Sequence, residues 1–342
     1  MADERQPLLR NSTNDQTKDD SASIQLPEQW SLAYRWTICS LLCLMAFTVT
    51  FTCIGIVPVA NLIVSDLNGG HSDRKASVIL VTIWELGEAA GPLFIAPLSE
   101  MFGRYPVFNA ANMLFICGIA ITLWSESVQT LIFARFLTGC AVASNVLNPA
   151  IIGDIFPPES RGSAMSVVML APLIGGAVGP AVAGAIAESA GWRRIIWMAL
   201  ILAIVCEVAF LTIVRETYKV AILRNNHTKL LIDESGDEND AAAMKAAETK
   251  SKLWTSITRP MSVLYSSVVL QMLSLHGSIV FTFFYVMSTT LPDILQTKYN
   301  FPPSLLGTSF LSFSKSNSWT SSSEKDRLTT FRHRLQFWHC RL

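Results

Sequence analysis

Charge is what this chain has least of. Asp, Glu, Lys and Arg make up 15% of its 342 residues, where a water-soluble chain carries about a quarter. The charges present cancel, 26 basic against 26 acidic, so the basic footprint of a nucleic-acid binder is missing. No Gly-x-x-x-x-Gly-Lys-Ser/Thr loop is present to cradle ATP phosphates, and no Cys/His cluster has metal-ligand spacing. These absences exclude nucleic-acid binding and ATP-driven pumping, and they point away from an enzyme and from any bound cofactor. Cysteine is sparse too. Six of the seven, Cys39, Cys43, Cys53, Cys117, Cys140 and Cys206, lie inside apolar runs, and Cys340 is near the end. That is a pattern of buried structural thiols rather than a disulfide framework.

What the chain has in abundance is apolar length: 51% of residues are hydrophobic and mean hydropathy is +0.39. A helix needs about 20 mainly apolar residues to cross a hydrocarbon core of about 30 Å. Seven segments qualify: Thr37 to Ala60, Ala76 to Leu98, Pro106 to Trp124, Val128 to Ile151, Ala164 to Ala187, Ile195 to Val214 and Val263 to Ser288. Each is predicted to be helical, because lipid offers backbone groups no partner. The fold class is therefore an all-α membrane protein. A polar tail precedes the first run and no small-residue cleavage site follows a short apolar core, so a cleaved signal peptide is not expected.

Lys and Arg outside the spans set orientation. Alternate connections on the side of the amino terminus carry 14 of them, against five on the other side. The amino terminus is thus expected in the cytoplasm, opposite to a seven-helix receptor. The predicted organisation is a polar cytoplasmic tail (1–36), a six-helix bundle (37–214), a cytoplasmic linker (215–260), the start of a second bundle (261–313) and a polar tail (314–342). An eighth span opens at Ser304 to Phe313 and then gives way to a run containing Lys315, Lys325, Arg327, Arg332, Arg334 and Arg341. Those cations follow a span that ends outside, against the charge rule, so a truncated or misread carboxyl end is expected. Glu4-Arg-Gln-Pro-Leu8-Leu9 fits an acidic dileucine sorting pattern, which sets a vacuolar or endosomal membrane beside the plasma membrane as the destination.

Within the bundle, Gly87-Glu-Ala-Ala-Gly91-Pro92 in span two matches Gly175-Gly-Ala-Val-Gly179-Pro180 in span five, both reading G-x-A-x-G-P. These are corresponding positions of two three-helix triplets, and Gly/Pro-interrupted helices in matching positions point to a transport pathway. Between spans two and three, Ala96-Pro-Leu98-Ser-Glu100-Met-Phe-Gly103-Arg104 is similar to the G-x-L-a-D-r-x-G-r-k signature of the major facilitator superfamily, with Glu100 in the Asp place, Ala96 for the first Gly and Met101 for the usual basic residue. Leu131, Arg135 and Gly139 resemble its L-x-x-x-R-x-x-x-G element. Gly175-x-x-x-Gly179-Pro180-x-x-x-Gly184 resembles the motif of its drug and proton antiporter branch. Gly191-Trp192-Arg193-Arg194-Ile195 and Arg215-Glu216-Thr217-Tyr218 look like fungal members of that branch.

The resemblance implies two six-helix bundles rocking about a central cavity, with a proton gradient rather than a cofactor driving export of organic cations, drugs or polyamines. The lipid bilayer is the other partner. A non-transporting membrane fragment that acts by association is the rival reading. Gating would fall to Glu100, Gly103, Arg104, Gly175, Gly179, Pro180 and Gly184, with Pro180 loosening its helix.

Ionisable side chains at membrane depth cost about 2.5 to 3.5 kcal/mol each on insertion scales, so four of them need a reason: Glu85, Glu88, Arg135 and Glu207. Glu85 and Glu88, three residues apart, share a helix face. Two carboxylates in one dry site repel, and one of the pair is expected to hold a proton near neutrality. That arrangement is either a proton-exchange device or a structural pairing of Glu85 with Arg135. In the family that Arg135 resembles, its position is linked to proton coupling. Glu207 completes the expected substrate and proton pathway. Trp84, Phe281, Phe284 and Tyr285 are positioned either to stack organic cations or to make ordinary core and lipid contacts, and His276 is expected to be a satisfied structural histidine.

Overall fold

The computed structural model describes residues 27, 30–71, 73–218 and 262–299. The linker beyond 218, the eighth-span segment from Ser304, the polar tail and the dileucine pattern lie outside the described residues. The helices are α1 (Leu32–Ile54), α2 (Ala60–Leu67), α3 (Arg74–Phe102), α4 (Arg104–Leu123), α5 (Val128–Cys140), α6 (Ser144–Ile155), α7 (Pro158–Ala190), α8 (Trp192–Ile213) and α9 (Val268–Tyr299). Together they supply seven stretches long and apolar enough to cross a membrane: α1 with α2, α3, α4, α5 with α6, α7, α8 and the first part of α9.

Three of the seven expected spans are not single helices, the seventh being interrupted at Ser267, just before α9. The first breaks after Ile54, where Gly55, Ile56 and a 3-10 turn over Val57–Val59 separate α1 from α2. Pro58 has no N–H to offer the carbonyl of Ile54, so the ladder cannot continue. The fourth breaks at Ala141–Ala143, where the Val142 N–H turns back to the Gly139 carbonyl (3.1 Å) before α6 opens at Ser144. By contrast, α7 runs unbroken through Pro172 and Pro180. Pro180 has no N–H for the Gly176 carbonyl, and α7 passes it without a break in the helix. Helix starts follow local chemistry: Asp73 Oδ1 accepts from the N–H groups of Lys75 (2.9 Å) and Ala76 (3.3 Å), and Ser127 Oγ from that of Thr130 (3.2 Å).

The twin G-x-A-x-G-P motifs explain how the helices come together. On α3, a Cβ added to Gly87 would lie against the Phe136 carbonyl and 2.8 Å from the Cys140 nitrogen, while one added to Gly139 would sit 3.2 Å from Gly87 Cα. On α7, a Cβ on Gly175 would be 3.0 Å from the Phe47 carbonyl, and one on Gly179 would be 3.4 Å from Phe51 Cα. Thus α3 meets α5 and α7 meets α1 backbone to backbone, and these are the two most extensive contacts in the bundle. Exchanging the two triplets carries one contact onto the other, span two on span four becoming span five on span one. The connections repeat as well: α3 passes to α4 through Gly103 (φ 106°), and α7 to α8 through Gly191 (φ 83°), in a region that favours glycine.

The core between these helices is apolar and aromatic, with Trp84, Phe108, Phe115, Phe156 and Phe210 buried. Phe108 stacks on Phe210 at 4.3 Å. Of the cysteines, Cys39, Cys53 and Cys206 are buried as expected, whereas Cys43 and Cys140 are partly exposed and Cys117 is exposed. His276 lies exposed on α9.

Candidate functional site

The break after Ile54 exposes the carbonyls of the last turn of α1, which have no helical partner further along the chain. Arg135, on α5, supplies the missing donors. Its Nη1 donates to the Thr52 carbonyl (3.0 Å) and its Nη2 to that of Cys53 (3.1 Å). The guanidinium lies 4.3 Å from the centre of the Trp84 ring, and only 1% of the residue is exposed. A cation on the carbonyl end of a helix also complements its dipole. Trp84 is therefore committed to a protein cation, so it is not a free platform for an organic one.

Glu85 and Glu88 come from the same face of α3 and meet Cys53 from α1; one ligand-capable atom from each of the three lies within 4.8 Å of the others. The Cys53 thiol donates to Glu85 Oε1 at 3.7 Å, and Tyr285 of α9 reaches the same carboxyl group. Glu88 accepts from Trp84 Nε1 at 3.1 Å and from the Asn145 side-chain amide. Asn145 sits in the first turn of α6, so the break in span four opens a new helix beside the carboxyl group, its positive dipole end on that side. The structure thus gathers three of the four expected intramembrane charges, Glu85, Glu88 and Arg135, around the broken ends of spans one and four. Arg135 is held by backbone carbonyls rather than by a carboxylate bridge.

Glu207 stands apart. It is buried on α8, where Oε2 accepts from Asn112 Nδ2 of α4 at 2.7 Å. The segment joining α3 to α4 holds the expected gating residues Glu100, Gly103 and Arg104. Glu100 is exposed, and the acid that pairs with Arg104 is Asp154 of α6 (3.0 Å). Arg104 Nη1 also donates to Ser99 Oγ at 3.1 Å. Glu216 caps α4, accepting from the N–H groups of Arg104 (2.9 Å) and Tyr105 (3.2 Å). Gly103 faces that cap, since a Cβ there would run into the Glu216 carboxylate. Gly175, Gly179, Pro180 and Gly184 are buried along α7. An apolar cavity of about 570 Å³ between α3, α4 and α5 is walled by residues such as Phe94, Leu98 and Leu114 and has no acidic or basic lining residue, so it is not the charged site.

Cys53, Asn145, Asn112 and Asp154 are the participants the sequence reading missed. Asn112 and Asn145 were legible in principle, being amides inside apolar runs. Cys53 carried no distinguishing signal among six similarly placed cysteines.

Comparison with known proteins agrees with this architecture. Residues 41–315 match the family model described as Major Facilitator Superfamily. The chain is similar to the efflux pump radE of Floropilus chiversii, 31% identical over 84% of this chain and 53% of the relative. It is also similar to the MFS-type transporter penM of Penicillium rubens, 30% identical over 83% and 56%. It spans about half the length of these curated relatives. Among solved structures, the human organic anion transporter MFSD10 superposes with a TM-score of 0.53 at 20% identity, covering 82% of this chain and 70% of the other. A bacterial homologue of the human lysosomal transporter Spinster, inward-facing and occupied, superposes with a TM-score of 0.51 at 18% identity over 55% and 46%. With seven membrane-length stretches among its described residues, its glycine-packed triplets and this match over most of its length, the chain belongs to the major facilitator superfamily.

Proposed function

We propose that this chain carries the amino-terminal bundle of a proton-coupled exporter of organic cations, of the drug and proton antiporter branch, and that Glu85 and Glu88 form its proton-exchange site. The observation that carries this reading is the joining of the two carboxyl groups to Cys53, Asn145 and Tyr285 at the broken ends of spans one and four, with Arg135 fixed beside them. Two carboxyl groups in a site of low polarity favour one shared proton, and a cationic substrate that arrives there displaces it. Efflux named for the radE relative supports the direction of transport. The loop charges support a cytoplasmic amino terminus, an orientation that would put Arg104, Asp154 and Glu216 on the cytoplasmic side.

Proton-driven accumulation of a fluorescent organic cation in reconstituted vesicles tests the proposal. Glu88→Gln keeps size and hydrogen bonding but removes titration, so gradient-driven accumulation is expected to fail while substrate binding partly survives. Glu85→Gln is expected to be milder. Unchanged pH dependence of transport in Glu88→Gln would remove that residue from the mechanism. Vesicles carrying this chain alone also separate the exporter from a fragment that acts only by association, which would show no proton-dependent flux.

A further inference from the structure

Away from the Glu85 and Glu88 site, the interior holds a second carboxyl group with an unusual pattern of unfilled bonds. Glu207 is 2% exposed and Asn112 is 1% exposed. One edge of their contact is complete, with Asn112 Nδ2 donating to Glu207 Oε2 at 2.7 Å. The remaining oxygens of the two groups, Glu207 Oε1 and Asn112 Oδ1, are both buried without a partner. Both orphan atoms are acceptors, so no rearrangement of the existing groups can satisfy them, and reversing the amide would only turn its oxygen toward Glu207 Oε2. Buried acceptors left unpaired destabilise the fold, and among the described residues no basic side chain acts on Glu207. The polar neighbours are few. Thr48 of α1 lies 3.5 Å from the thiol of Cys206, the residue before Glu207 on α8.

We propose that Glu207 binds a proton on Oε1 and stands in the bundle as a neutral carboxylic acid, closing a two-bond ring with the Asn112 amide. Addition of one proton from solvent converts Oε1 from an orphan acceptor into a donor, and Asn112 Oδ1 becomes its acceptor. A single ligand thereby satisfies both orphan atoms. The ring ties span three to span six at membrane depth. A second tie lies at the Arg104 end of the same helix pair, where the Tyr105 hydroxyl donates to the Leu211 carbonyl at 3.2 Å and Glu216 caps α4. The inference stands independently of proton coupling at Glu85 and Glu88, because its readout is spectroscopic and needs no transport.

Infrared spectroscopy of the full chain in lipid bilayers at neutral pH tests it. The Glu85→Gln/Glu88→Gln double variant is expected to keep a protonated-carboxyl carbonyl band that shifts in D2O and disappears when Glu207→Gln is added. The glutamine can form the same two-bond ring with Asn112, so the triple variant is expected to fold. Asn112→Val is expected to keep the band but move it, because the acid loses its amide partner. A double variant that lacks the band, or one whose band survives Glu207→Gln, would overturn the proposal.

Discussion

Replacing Arg135 by methionine gives the sharpest test of the broken span. Methionine matches the length of the apolar stem but supplies no donor, so the Thr52 and Cys53 carbonyls at the end of α1 lose their partners and Trp84 loses its stacked cation. Hydrogen bonds between membrane helices are worth about 0.6 kcal/mol on average and at most about 1.7, and a cation over an aromatic face about 0.5 to 2. Removing the charge also removes its own burial cost, which offsets part of the loss. The net local destabilisation is then about 1 to 3 kcal/mol, or roughly 5- to 150-fold in an opening equilibrium. Hydrogen exchange read by mass spectrometry should show amides of the segment 50–60 exchanging faster by that factor, with α8 unchanged. Arg135→Lys keeps the charge but loses the fork that reaches two carbonyls at once, so its effect should be intermediate. Protection of 50–60 that is identical in the wild type and Arg135→Met would refute the role of Arg135 as the cap of α1.

Glycine substitutions should change sign with position. Gly87→Ala drives a methyl into the backbone of α5 and is expected to lower thermal stability by about 1 to 3 kcal/mol. Gly153→Ala meets nothing within 4 Å and should be neutral or stabilising by up to about 1 kcal/mol through helix propensity. Melting of the purified protein in lipid nanodiscs compares them. Glu216→Ala removes the acceptor for the first N–H groups of α4 and is expected to cost about 0.5 to 2 kcal/mol, seen as raised protease sensitivity near residue 216. Asp154→Asn leaves Arg104, whose side chain is 13% exposed, without its ionic partner. A double-mutant cycle with Arg104→Gln should return a coupling energy above the 0.2 to 1 kcal/mol typical of exposed pairs.

Spans were legible because hydropathy adds up over twenty residues, and that same averaging hid the breaks in the first and fourth. Gly55 and Pro58 marked the first break in plain sight; Ala141–Ala143 marked the second with nothing. The joining of Glu85 and Glu88 followed from their three-residue spacing, since helical periodicity is a property of the local chain. The partners of Arg135 did not, because backbone carbonyls have no letter in a sequence. Glu100 was placed in the gating motif by analogy, yet it is exposed, and Arg104 pairs with Asp154, fifty residues further on. Only tertiary packing could reveal that choice.

The glycine contacts also carry a consequence for how the chain is made. Because α1 is completed by α7 and α3 by α5, neither triplet can finish its packing from its own three helices. With ribosomes adding roughly 5 to 20 residues per second, the first span waits on the order of 10 s for the fifth to emerge. Throughout that interval the glycine-receiving face at Phe47 and Phe51 lacks its partner, and until the fourth span emerges so do the carbonyls later capped by Arg135. Early spans of this chain therefore depend on the insertion machinery as a temporary neighbour, and a ribosome stalled before the fourth span would leave three helices that cannot form a bundle.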